Sequence, residues 1–553
     1  MGSYAPDPRA LRGRSARNLD ALEPLGVRSA HEKRLPCALS VDNDSQGLLE
    51  ARLTHSAEAS GAVGPSNRPV EGRSPRMVVT STGRSVATGT SGRPDVALVL
   101  LTRDLRVHDH PALVAAAEAR RTIVLFVLDE WILSRPYAAP NRLRILLDAL
   151  SDVRTALRGL GNDLVITRGR PAAVVRDLAV RHGVGAIHCS ADLSAFARRR
   201  EHDLAEVATE VGATFTAHPG VMLVDPMQVR ATGGGHFKVF TPYWRRWSQV
   251  TPRPVLGVPD LPRAPDGIDV GEVPSLEDLT DVTPAPLLAR GGERAARERL
   301  AWWMDGPIED YADGRNRMAD DATSRLSVPL HLGCLSVTEV AAGLDPRRPS
   351  HEAFLQELCW RDFNHQLLDA RPDLAVADVR TKDDRWRDAP DELAAWQAGR
   401  TGYPVVDAGM RQLVAEGWMH NRARMVTASF LTKHLYIDWR EGARFFLHHL
   451  ADGDLANNFA QWQWTAGTGT DSRPNRMFNP VIQGERYDPH GAYVRRWVPE
   501  LAHVAGRAVH QPRAHAAAEA PGLFDATQAY PAPIVDHREA RERFLTARGA
   551  LED

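Results

Sequence analysis

The sequence predicts an α/β layer with a parallel sheet, followed by an all-helical domain. Between residues 95 and 218, short apolar runs alternate with helical stretches, which is typical of buried parallel strands separated by helices. From about residue 290 to residue 501, apolar residues recur at helical spacing and strand signals are few. A chain of 553 residues also exceeds one compact core, so two or three domains are expected.

The strands of the α/β layer can be placed individually. The runs VALVLL after Asp95 and TIVLFVL after Arg121 are the first two, and a helix over residues 111–120 separates them. Further strands are expected at residues 163–167, 186–189 and 214–218. The pattern is Rossmann-like, but no Gly-x-Gly-x-x-Gly follows the first strand, so the sequence does not predict a dinucleotide site there.

The remaining segments set the expected domain boundaries. Residues 1–93 are rich in Ser, Gly, Pro, Arg and Ala and lack apolar periodicity, so they are predicted to be a disordered leader. Residues 94–224 are expected to form the α/β domain, and the proline- and glycine-rich residues 225–290 a linker. The helical domain is then expected over residues 291–548.

Composition excludes several classes of protein. The net charge is −2, so any contact with nucleic acid needs a local basic patch. The four cysteines are widely spaced without a C-x-x-C pair, which argues against zinc, an iron–sulfur cluster or a disulfide framework, and no metal site is predicted. Without a run of 18 apolar residues or a signal peptide, a cytoplasmic protein with no membrane contact is expected.

The densest group of functional candidates lies between Gly417 and Trp464. On a helix beginning near Gly417, Trp418, Asn421 and Met425 would share a face, with Arg422 beside them. Arg424 on the adjoining face could meet an acid of the Asp452-Gly-Asp454 segment, and the two could hydrogen-bond a heterocycle together. Buried Asn, Arg and Asp need partners, so this mixture favours a planar ligand, although a single tryptophan is more often ordinary core.

Two further patterns suggest binding groups. Glu357, Trp360 and Arg361 stand at i, i+3 and i+4, so one helical face would present an acid, a flat aromatic ring and a cation. A core helix with a chance ion pair is the alternative. Thr323 and Ser324 could cap a helix and meet a phosphate at its N-terminus, and a plain helix cap is the alternative.

These motifs resemble the cryptochrome/photolyase family, and within it the class I photolyases that act on cyclobutane pyrimidine dimers. The resemblance covers about residues 94–548. It rests on six strings in order, namely Thr323–Ser327 (TSRLS), Glu357–Arg361 (ELCWR), Thr401–Pro404 (TGYP), Gly417–Asn421 (GWMHN), Asp438–Arg440 (DWR) and Asp452–Leu455 (DGDL). The resemblance implies an antenna-binding α/β domain, a helical FAD-binding domain and light-driven repair of ultraviolet-damaged DNA by a monomeric flavoprotein.

The resemblance also implies the FAD contacts. They are Tyr311, Thr323, Ser324, Leu326, Ser327, Arg361, Asn421, Arg424, Asp452, Asp454 and Asn458. Asn458 would lie next to flavin N5, where an amide tolerates a reduced anionic flavin, whereas a carboxylate, seen at this place in many plant cryptochromes, would change the proton balance. One departure is that Phe459, Ala460 and Gln461 stand where the family often has Gly-Gly before the tryptophan.

The implied DNA contacts form a pocket for a flipped-out lesion. The pocket consists of Glu357, Trp360, Asn421, Arg422, Met425 and Trp464. In the family the acid hydrogen-bonds the damaged bases and the indole stacks on them. Trp386, Trp439 and Trp462 match the family's chain of tryptophans that passes electrons to the flavin, although three core tryptophans would look the same. Glu357, Asn458 and these three tryptophans are therefore the expected catalytic residues.

A second chromophore is expected in the α/β domain. The resemblance places Arg103, Arg142 and Asp192 against it. Residues 192–200 resemble the deazaflavin-binding members and lack the Asn-Glu pair that folate-binding members tend to carry at residues 196–197, so an antenna of the 8-hydroxy-deazaflavin type is expected and a folate less so. A solvated charged loop is the alternative.

Three other functions compete with repair of cyclobutane dimers. A cryptochrome photoreceptor would signal without repair, and Asn458 weighs against it. A (6-4) photolyase typically carries histidines where this sequence has Asn421 and Met425. A plain nucleotide-binding α/β protein is disfavoured by the missing glycine-rich turn. The favoured interpretation is an enzyme of the cytoplasm that is associated with the nucleoid when bound to DNA.

Overall fold

The computed structural model describes the backbone of residues 78–80 and 83–86, and residues 93–513 and 530–550 in full. Seven strands form one sheet. They are β1 Val78–Thr80, β2 Gly83–Val86, β3 Val96–Leu101, β4 Arg121–Asp129, β5 Leu164–Gly169, β6 Val184–Ser190 and β7 Thr214–His218. The predicted fold class is confirmed, and all five strands predicted from apolar runs are present within three residues of their expected bounds.

The sheet order explains why these runs are so uniformly apolar. The order is β1-β2-β7-β6-β3-β4-β5, with β3 to β7 parallel. All six residues of β3 are buried, because the strand lies in the interior of the sheet with both faces covered. The chain runs outward through β4 and β5 and then returns to the other side of β3 with β6. The carboxyl ends of β3 and β6 therefore flank a topological switch point, where open α/β sheets bind ligands.

Two strands lie inside the segment predicted to be a disordered leader. β2 pairs antiparallel with the edge strand β7, and β1 pairs with β2. The prediction over residues 1–93 is therefore wrong for these seven residues. Strands of three and four residues are too short to show a period, and here β7 supplies hydrogen bonds to β2, which in turn pairs with β1. The remaining residues of the predicted leader, except residue 93, lie outside the described part.

Five helices flank the sheet. They are α1 Pro111–Ala116, α2 Glu130–Leu133, α3 Pro140–Gly159, α4 Pro171–His182 and α5 Ala195–Val211. The first is shorter than the predicted residues 111–120, since its C-cap is already Ala117. Prolines begin α1, α3 and α4, where the missing N–H costs no helical hydrogen bond.

The segment predicted as a linker contains a helix that packs against the rest of the protein. It contains the helix α6 Phe240–Trp247, whose Tyr243 and Trp247 are buried. The Trp247 indole donates a hydrogen bond of 2.9 Å to Asp362, and the backbone N–H of Val224 donates to the same carboxylate at 3.0 Å. The aromatic residues of this segment thus fix it against the helical region.

The rest of the described chain is helical. The helices are α7 Glu293–Met304, α8 Tyr311–Gly314, α9 Ser327–Leu332, α10 Val337–Ala342, α11 Pro349–Ala370, α12 Pro390–Gln397, α13 Pro404–Glu416, α14 Asn421–Ser429, α15 Trp439–His449, α16 Leu455–Ala466, α17 Pro480–Tyr487, α18 Ala492–Trp497 and α19 His537–Ala547. A π-helical turn, Phe430–His434, follows α14. Four 3₁₀ turns complete the set, at Pro226–Gln228, Pro307–Asp310, Pro499–Leu501 and Gly506–His510.

The hydrophobic core does not stop at the predicted domain boundaries. One cluster of buried side chains includes Val99 of the sheet, Tyr243 of the linker helix and Phe363 of α11. A second cluster packs the later helices around Trp396 and Trp439. The boundaries at residues 224 and 290 therefore stay a prediction. Among the described residues, no helix combines the length and the apolar character needed to span a bilayer.

Candidate functional site

A cavity of about 500 Å³ lies among the helices of the second region. This volume is in the range of cofactor and ligand sites. The residues predicted from sequence that line it are Tyr311, Thr323, Ser324, Leu326, Ser327, Glu357, Trp360, Arg361, Asn421, Arg422, Arg424, Met425, Asp452, Asp454, Asn458, Trp462 and Trp464. The structure thus brings the predicted FAD residues and the predicted lesion residues together around one cavity. Their individual roles stay predictions.

The predicted pairing of Arg424 with an acid is present. The Arg424 Nη2 group donates to Asp452 Oδ2 at 2.9 Å, and its Nε donates to the Met419 carbonyl at 2.8 Å. The second oxygen of Asp452 is buried and has no hydrogen-bond partner in the described part of the chain. A buried carboxylate oxygen needs a donor, so this atom is available to a hydroxyl or N–H of a ligand in the cavity.

Asp454 is surrounded by donors. It caps α16 by accepting from the Asn457 N–H at 2.8 Å, and it accepts from Arg103 Nη2 at 2.6 Å. His365 Nε2 and His331 Nδ1 lie 3.5 and 3.9 Å from its Oδ2. Burial by itself raises the pKa of Asp454, but the neighbouring His365 and Arg103 outweigh burial and hold that pKa well below its usual range. The cavity therefore contains a fixed negative charge.

Asn458 presents one end of its amide to the cavity. Its Nδ2 donates to the Ala443 carbonyl at 2.9 Å, so its side-chain oxygen is the free acceptor. The residues that replace the family's Gly-Gly do not interrupt the backbone, because α16 runs unbroken from Leu455 to Ala466. Phe459 and Ala460 turn inward and Gln461 lies at the cavity wall.

The predicted lesion face is formed by α11. The Glu357 carboxylate forms an ion pair of 3.2 Å with Arg315, and the accessible 39% of its side chain faces the cavity. Burial raises the pKa of Glu357, and the Arg315 and Arg422 guanidinium groups act in the opposite direction. Trp360 is stacked on Phe240 of the linker helix, with ring centroids 3.8 Å apart and planes inclined by 2°. One face of this indole is therefore occupied by the protein, and the residue also lines the cavity.

The helix predicted to begin near Gly417 begins instead at Asn421. Gly417 has a φ of +61° and ends α13, and the His420 imidazole caps α14 by accepting from the Arg422 N–H at 3.1 Å. Trp418 is thus on a loop, where the Arg325 guanidinium lies 4.2 Å from its ring centroid. The prediction that Trp418 shares a helical face with Asn421 is therefore wrong, although both line the cavity.

The predicted helix-capping role of Thr323 and Ser324 is also wrong. The N-cap of α9 is Leu326, and its side chain makes no capping bond. The Ser324 hydroxyl instead accepts from the Leu326 N–H at 3.3 Å, and Arg299 donates to the carbonyls of Thr323 and Ser324 at 2.8 Å each. The intervening Arg325 has a φ of +54°, which delays the helix start to Ser327.

The three predicted tryptophans show graded burial. Trp462 lines the cavity, Trp439 is fully buried and Trp386 is half-buried. A Cβ added at Gly442 would meet the Trp462 ring at 2.1 Å, and Gly442 lies one helical turn after Trp439, so these two indoles are neighbours. The ring centroids of Trp386 and Tyr436 are 5.0 Å apart, and Tyr436 precedes Trp439 by three residues in the sequence. The electron path along them stays a prediction.

The three predicted antenna residues are engaged within the protein. Arg103 follows β3, and Asp192 follows β6. Arg103 forms an ion pair of 3.2 Å with Asp192 and a second ion pair with Asp454. Arg142 of α3 donates to the carbonyls of Tyr137 and of Leu450, the latter at 2.7 Å, and does not meet the other two. Both arginines thus join the α/β layer to the helical region, and their contact with a chromophore stays a prediction.

Several cavity residues were missed from sequence. They include Arg315, Arg325, His331, Asn364 and Asn457. Two carried a usable signal: Arg315 follows Tyr311 by four residues, and Asn364 follows Glu357 by seven, so each shares a helical face with a predicted residue. His331 and Asn457 act on Asp454 across distant segments or through a cap, which spacing does not reveal.

Both parts of the chain match known family models. Residues 97–265 match a model described as DNA photolyase, and residues 354–550 match one described as the FAD binding domain of DNA photolyase. A deoxyribodipyrimidine photo-lyase of Streptomyces griseus is 48% identical over 458 residues, which cover 82% of this chain and 99% of that protein.

Two solved structures resemble the fold closely. A class III photolyase from Agrobacterium tumefaciens is 34% identical with a TM-score of 0.77, covering 83% of this chain and 98% of that chain. An archaeal photolyase from Sulfolobus tokodaii, solved with two FAD molecules, is 29% identical with a TM-score of 0.71, covering 82% of this chain and 100% of that chain.

The fold and the cavity define a two-domain flavin-dependent class of protein, in which an α/β layer precedes a helical flavin-binding region. The identity and coverage of the Streptomyces relative place the chain further: it belongs to the cryptochrome/photolyase family. Membership of class I stays a prediction, since a class III photolyase is among the similar structures.

The cavity fits FAD by its own chemistry. The buried Asp452 oxygen without a partner can accept a hydrogen bond, and the Ser324 and Ser327 hydroxyls can donate or accept at the same wall. The ionised Asp454 is acceptor-only, which suits an N–H of a flavin ring. Trp462 and Phe446 contribute aromatic surface for a planar group.

Proposed function

We propose that the protein is a class I deoxyribodipyrimidine photo-lyase, which uses light to split cyclobutane pyrimidine dimers in DNA. The observation that carries this proposal is the shared cavity, because the flavin-type groups Arg424, Asp452 and Asp454 line it together with Glu357 and Trp360 of α11. A lesion and a cofactor bound there would lie next to each other without an intervening protein wall. The 48% identity to a photo-lyase over nearly its whole length supports the same activity.

The chain's own residues bind and orient the cofactor. Fully reduced FAD, when bound and excited, supplies the electron that opens the cyclobutane ring and takes it back afterwards. Asp454 would accept a hydrogen bond from a ring N–H, and Arg424 keeps Asp452 aligned so that it could accept from a second donor. The Asn458 side-chain oxygen could accept a hydrogen bond from a protonated ring nitrogen. Because the amide is neutral, it would add no negative charge beside a reduced, anionic cofactor.

The lesion face then binds the damaged bases. Trp360 is held rigid by Phe240, so a base can stack on its free face with little loss of side-chain entropy. Arg315 aligns the Glu357 carboxylate, which would accept a hydrogen bond from a base N–H. Trp464 closes the pocket from α16. Burying an already unpaired dimer costs less than flipping a sound base pair, which gives selectivity for damage.

The cavity favours cyclobutane dimers over (6-4) products. Asn421 and Met425 both line it, and neither can act as a general acid near neutral pH. His420 does not line the cavity, because it caps α14, and burial lowers its pKa to about 4. The cavity histidine, His331, lies on the flavin side, within hydrogen-bonding distance of Tyr137. Splitting a cyclobutane ring moves no oxygen atom, so this pocket suffices.

The test uses the full chain with FAD verified as fully reduced. Illumination with ultraviolet-damaged DNA is expected to remove cyclobutane dimers and to leave (6-4) products, as measured with a lesion-specific assay for each. No repair is expected in the dark. Loss of (6-4) products with persistence of dimers would overturn the lesion assignment. Loss of neither lesion would favour a cryptochrome-type photoreceptor.

We further infer that the second chromophore is an 8-hydroxy-deazaflavin type, supported by the resemblance of residues 192–200 to the deazaflavin-binding members. The switch point at the carboxyl ends of β3 and β6 is the expected place for it. Protein purified from a host that makes deazaflavin should release it on denaturation, and a folate as the only second chromophore would overturn this inference. Cytoplasmic location and a monomeric state stay predictions, and sedimentation tests the latter.

A further inference from the structure

Lys433 is a buried cation whose ammonium contacts no carboxylate among the described residues. It lies in the π-helical turn Phe430–His434 and is 2% exposed. Its ammonium donates to the Pro474 carbonyl at 3.0 Å and to the Arg476 carbonyl at 2.6 Å. A buried ammonium is costly unless it is hydrogen-bonded, so these two bonds account for its placement. Within the described residues, Lys433 thus connects the end of α14 to one loop, and its ammonium also lies 5.5 Å from the ring centroid of Phe544 in α19.

The loop that Lys433 holds has no helix or strand of its own. It runs over residues 471–479, between α16 and α17. Its internal bonds are few: Asp471 accepts from the Arg473 N–H at 2.9 Å, and the Arg476 N–H donates to the Arg473 carbonyl at 3.0 Å. Backbone carbonyls outside regular structure need partners from side chains or water. Lys433 supplies such partners to two of the loop's carbonyls.

The loop carries an exposed arginine to the edge of the cavity. The Arg476 guanidinium lies 5.1 Å from the ring centroid of Trp464, which lines the cavity, and 5.2 Å from that of Phe478. In the described part of the chain this guanidinium forms no ion pair. Stacking on an indole orients an arginine while leaving its N–H groups outward, where they can bind a phosphate bidentately.

We propose that Lys433 is a positioning residue for DNA binding, which holds the Pro474 and Arg476 carbonyls so that the Arg476 guanidinium stays on Trp464 and binds a phosphate of the damaged strand. This inference rests on the proposed function, because it assumes that the strand enters the cavity beside Trp464. Lys433 itself touches neither the strand nor the cofactor. Its effect on the substrate passes through the backbone of the loop.

The charge of Lys433 is poised to change near neutral pH. Burial lowers the pKa of its ammonium to about 7. Asp471 and Asp384 act to raise that pKa, whereas Arg548 and Arg476 act to lower it. A neutral amine donates weaker hydrogen bonds to carbonyls than an ammonium does. The loop is therefore expected to loosen, and binding of the damaged strand to weaken, as pH rises through about 7.

The test compares DNA affinity among full-length, FAD-loaded variants. For a single-stranded oligonucleotide with one cyclobutane dimer, Lys433→Met should raise the Kd about fivefold and reduce the salt dependence by about one ion, as for a lost phosphate contact. Arg476→Gln should do the same. The double variant should bind no worse than either single variant, because both remove the same contact. Unchanged affinity in Lys433→Met, or additive losses, would overturn the proposal.

Two further readouts separate a local loosening of the loop from a general loss of structure. Hydrogen exchange of residues 471–478 should increase in Lys433→Met without DNA, while FAD content and absorption spectrum stay those of the wild type. Lys433→Gln, which keeps an N–H donor, should recover part of the affinity. Arg181→Met on the surface helix α4 removes one charge elsewhere and should leave both the DNA affinity and the hydrogen exchange of the loop unchanged. Unchanged exchange in the loop would count against the proposal.

If Lys433→Met fails to fold, the pH profile decides. Wild-type affinity should fall between pH 6 and 8, and the Arg476→Gln profile should be flatter in that window. Parallel profiles would overturn the proposal. Failure of the proposed function looks different, since the wild type would then show no preference for dimer-containing DNA and no repair, whatever the state of Lys433.

Discussion

Arg103 of the α/β layer and Asp454 of the helical region form an ion pair of 2.6 Å. The arginine follows β3, and the acid caps the helix that carries Asn458, Trp462 and Trp464. One bond therefore connects the sheet's switch point to the N-terminus of the helix beside the cavity. Burial by itself lowers the pKa of Arg103, and the Asp192 and Asp454 carboxylates more than reverse this, so the pair is ionised over the whole physiological range.

Replacing Arg103 is expected to destabilise the protein strongly. Arg103→Met leaves Asp192 and Asp454 as buried charges without their shared cation, which costs about 3 kcal/mol of the free energy of unfolding. FAD retention should fall as well, because Asp454 loses a donor that fixes it. Urea denaturation measures the first effect and the flavin-to-protein absorbance ratio the second. Arg176→Met, which breaks an exposed pair with Glu210, should leave the free energy of unfolding nearly unchanged.

Acid is expected to destabilise the protein through a buried histidine pair. His188 Nδ1 and His218 Nε2 lie 3.0 Å apart on neighbouring strands, and burial lowers their pKa values to about 4 and about 3. In the unfolded chain both take up protons below about pH 6.5. The unfolded state therefore binds more protons between about pH 4 and 6.5, so the free energy of unfolding falls as pH drops through that window.

The variant His188→Asn should bind about one proton fewer on unfolding in this window. The slope of its free energy of unfolding against pH should therefore be smaller by about 1.4 kcal/mol per pH unit. Urea denaturation at several pH values between 4.5 and 7 gives the slope. Other buried histidines, such as His434, keep part of the dependence in the variant. A slope equal to that of the wild type would contradict the assignment.

Glu357→Ala is expected to weaken dimer binding without releasing FAD. The carboxylate contacts Arg315 and faces the cavity, whereas the flavin-type groups Arg424, Asp452 and Asp454 come from other segments. A hydrogen bond to a charged group contributes about 1.5–3 kcal/mol, so a loss of about tenfold or more in affinity is expected. Glu352→Ala, on an exposed face of the same helix, is the matched control. Release of FAD on gel filtration would show that Glu357 holds the cofactor instead.

Trp386→Phe is expected to slow light-driven reduction of oxidised FAD and to leave repair by chemically pre-reduced protein nearly intact. The half-buried Trp386 adjoins Tyr436 and does not line the cavity, so its replacement leaves the predicted lesion contacts in place. Time-resolved absorption of the flavin measures the reduction rate. Trp131→Phe, a change to a surface tryptophan of the α/β layer that is 52% exposed, should leave the rate unchanged. Equal rates in wild type and Trp386→Phe would reject the electron-path assignment.

Local patterns predicted much of this structure. The strands followed from continuous apolar runs because a parallel sheet covered on both faces buries every residue, as in β3. The cavity residues followed from ordered strings that a family resemblance could match. Roles assigned by helical spacing were less secure, as Trp418 shows: a positive φ at Gly417 ends one helix, and a histidine cap delays the next, which period counting alone does not reveal.

Contacts between distant segments could not be predicted. Arg103 and Asp454 are 351 residues apart in sequence, and each has a plausible local role as a charged loop residue or a helix cap. Only the packed structure shows that they meet. The same holds for Lys433 and the Pro474 carbonyl, since a lysine within an apolar turn gives no sign of its backbone partner.

The stacking of Phe240 on Trp360 limits how the two parts of this protein can be exchanged with those of relatives. Phe240 belongs by position to the connection between the domains, yet it forms the back of a wall of the cavity. A chimera that replaces everything before residue 290 would therefore alter the cavity wall along with the α/β layer. A crossover placed before residue 237 would keep the aromatic wall intact, but the incoming α/β layer would also need an arginine at position 103 to preserve the ion pair with Asp454.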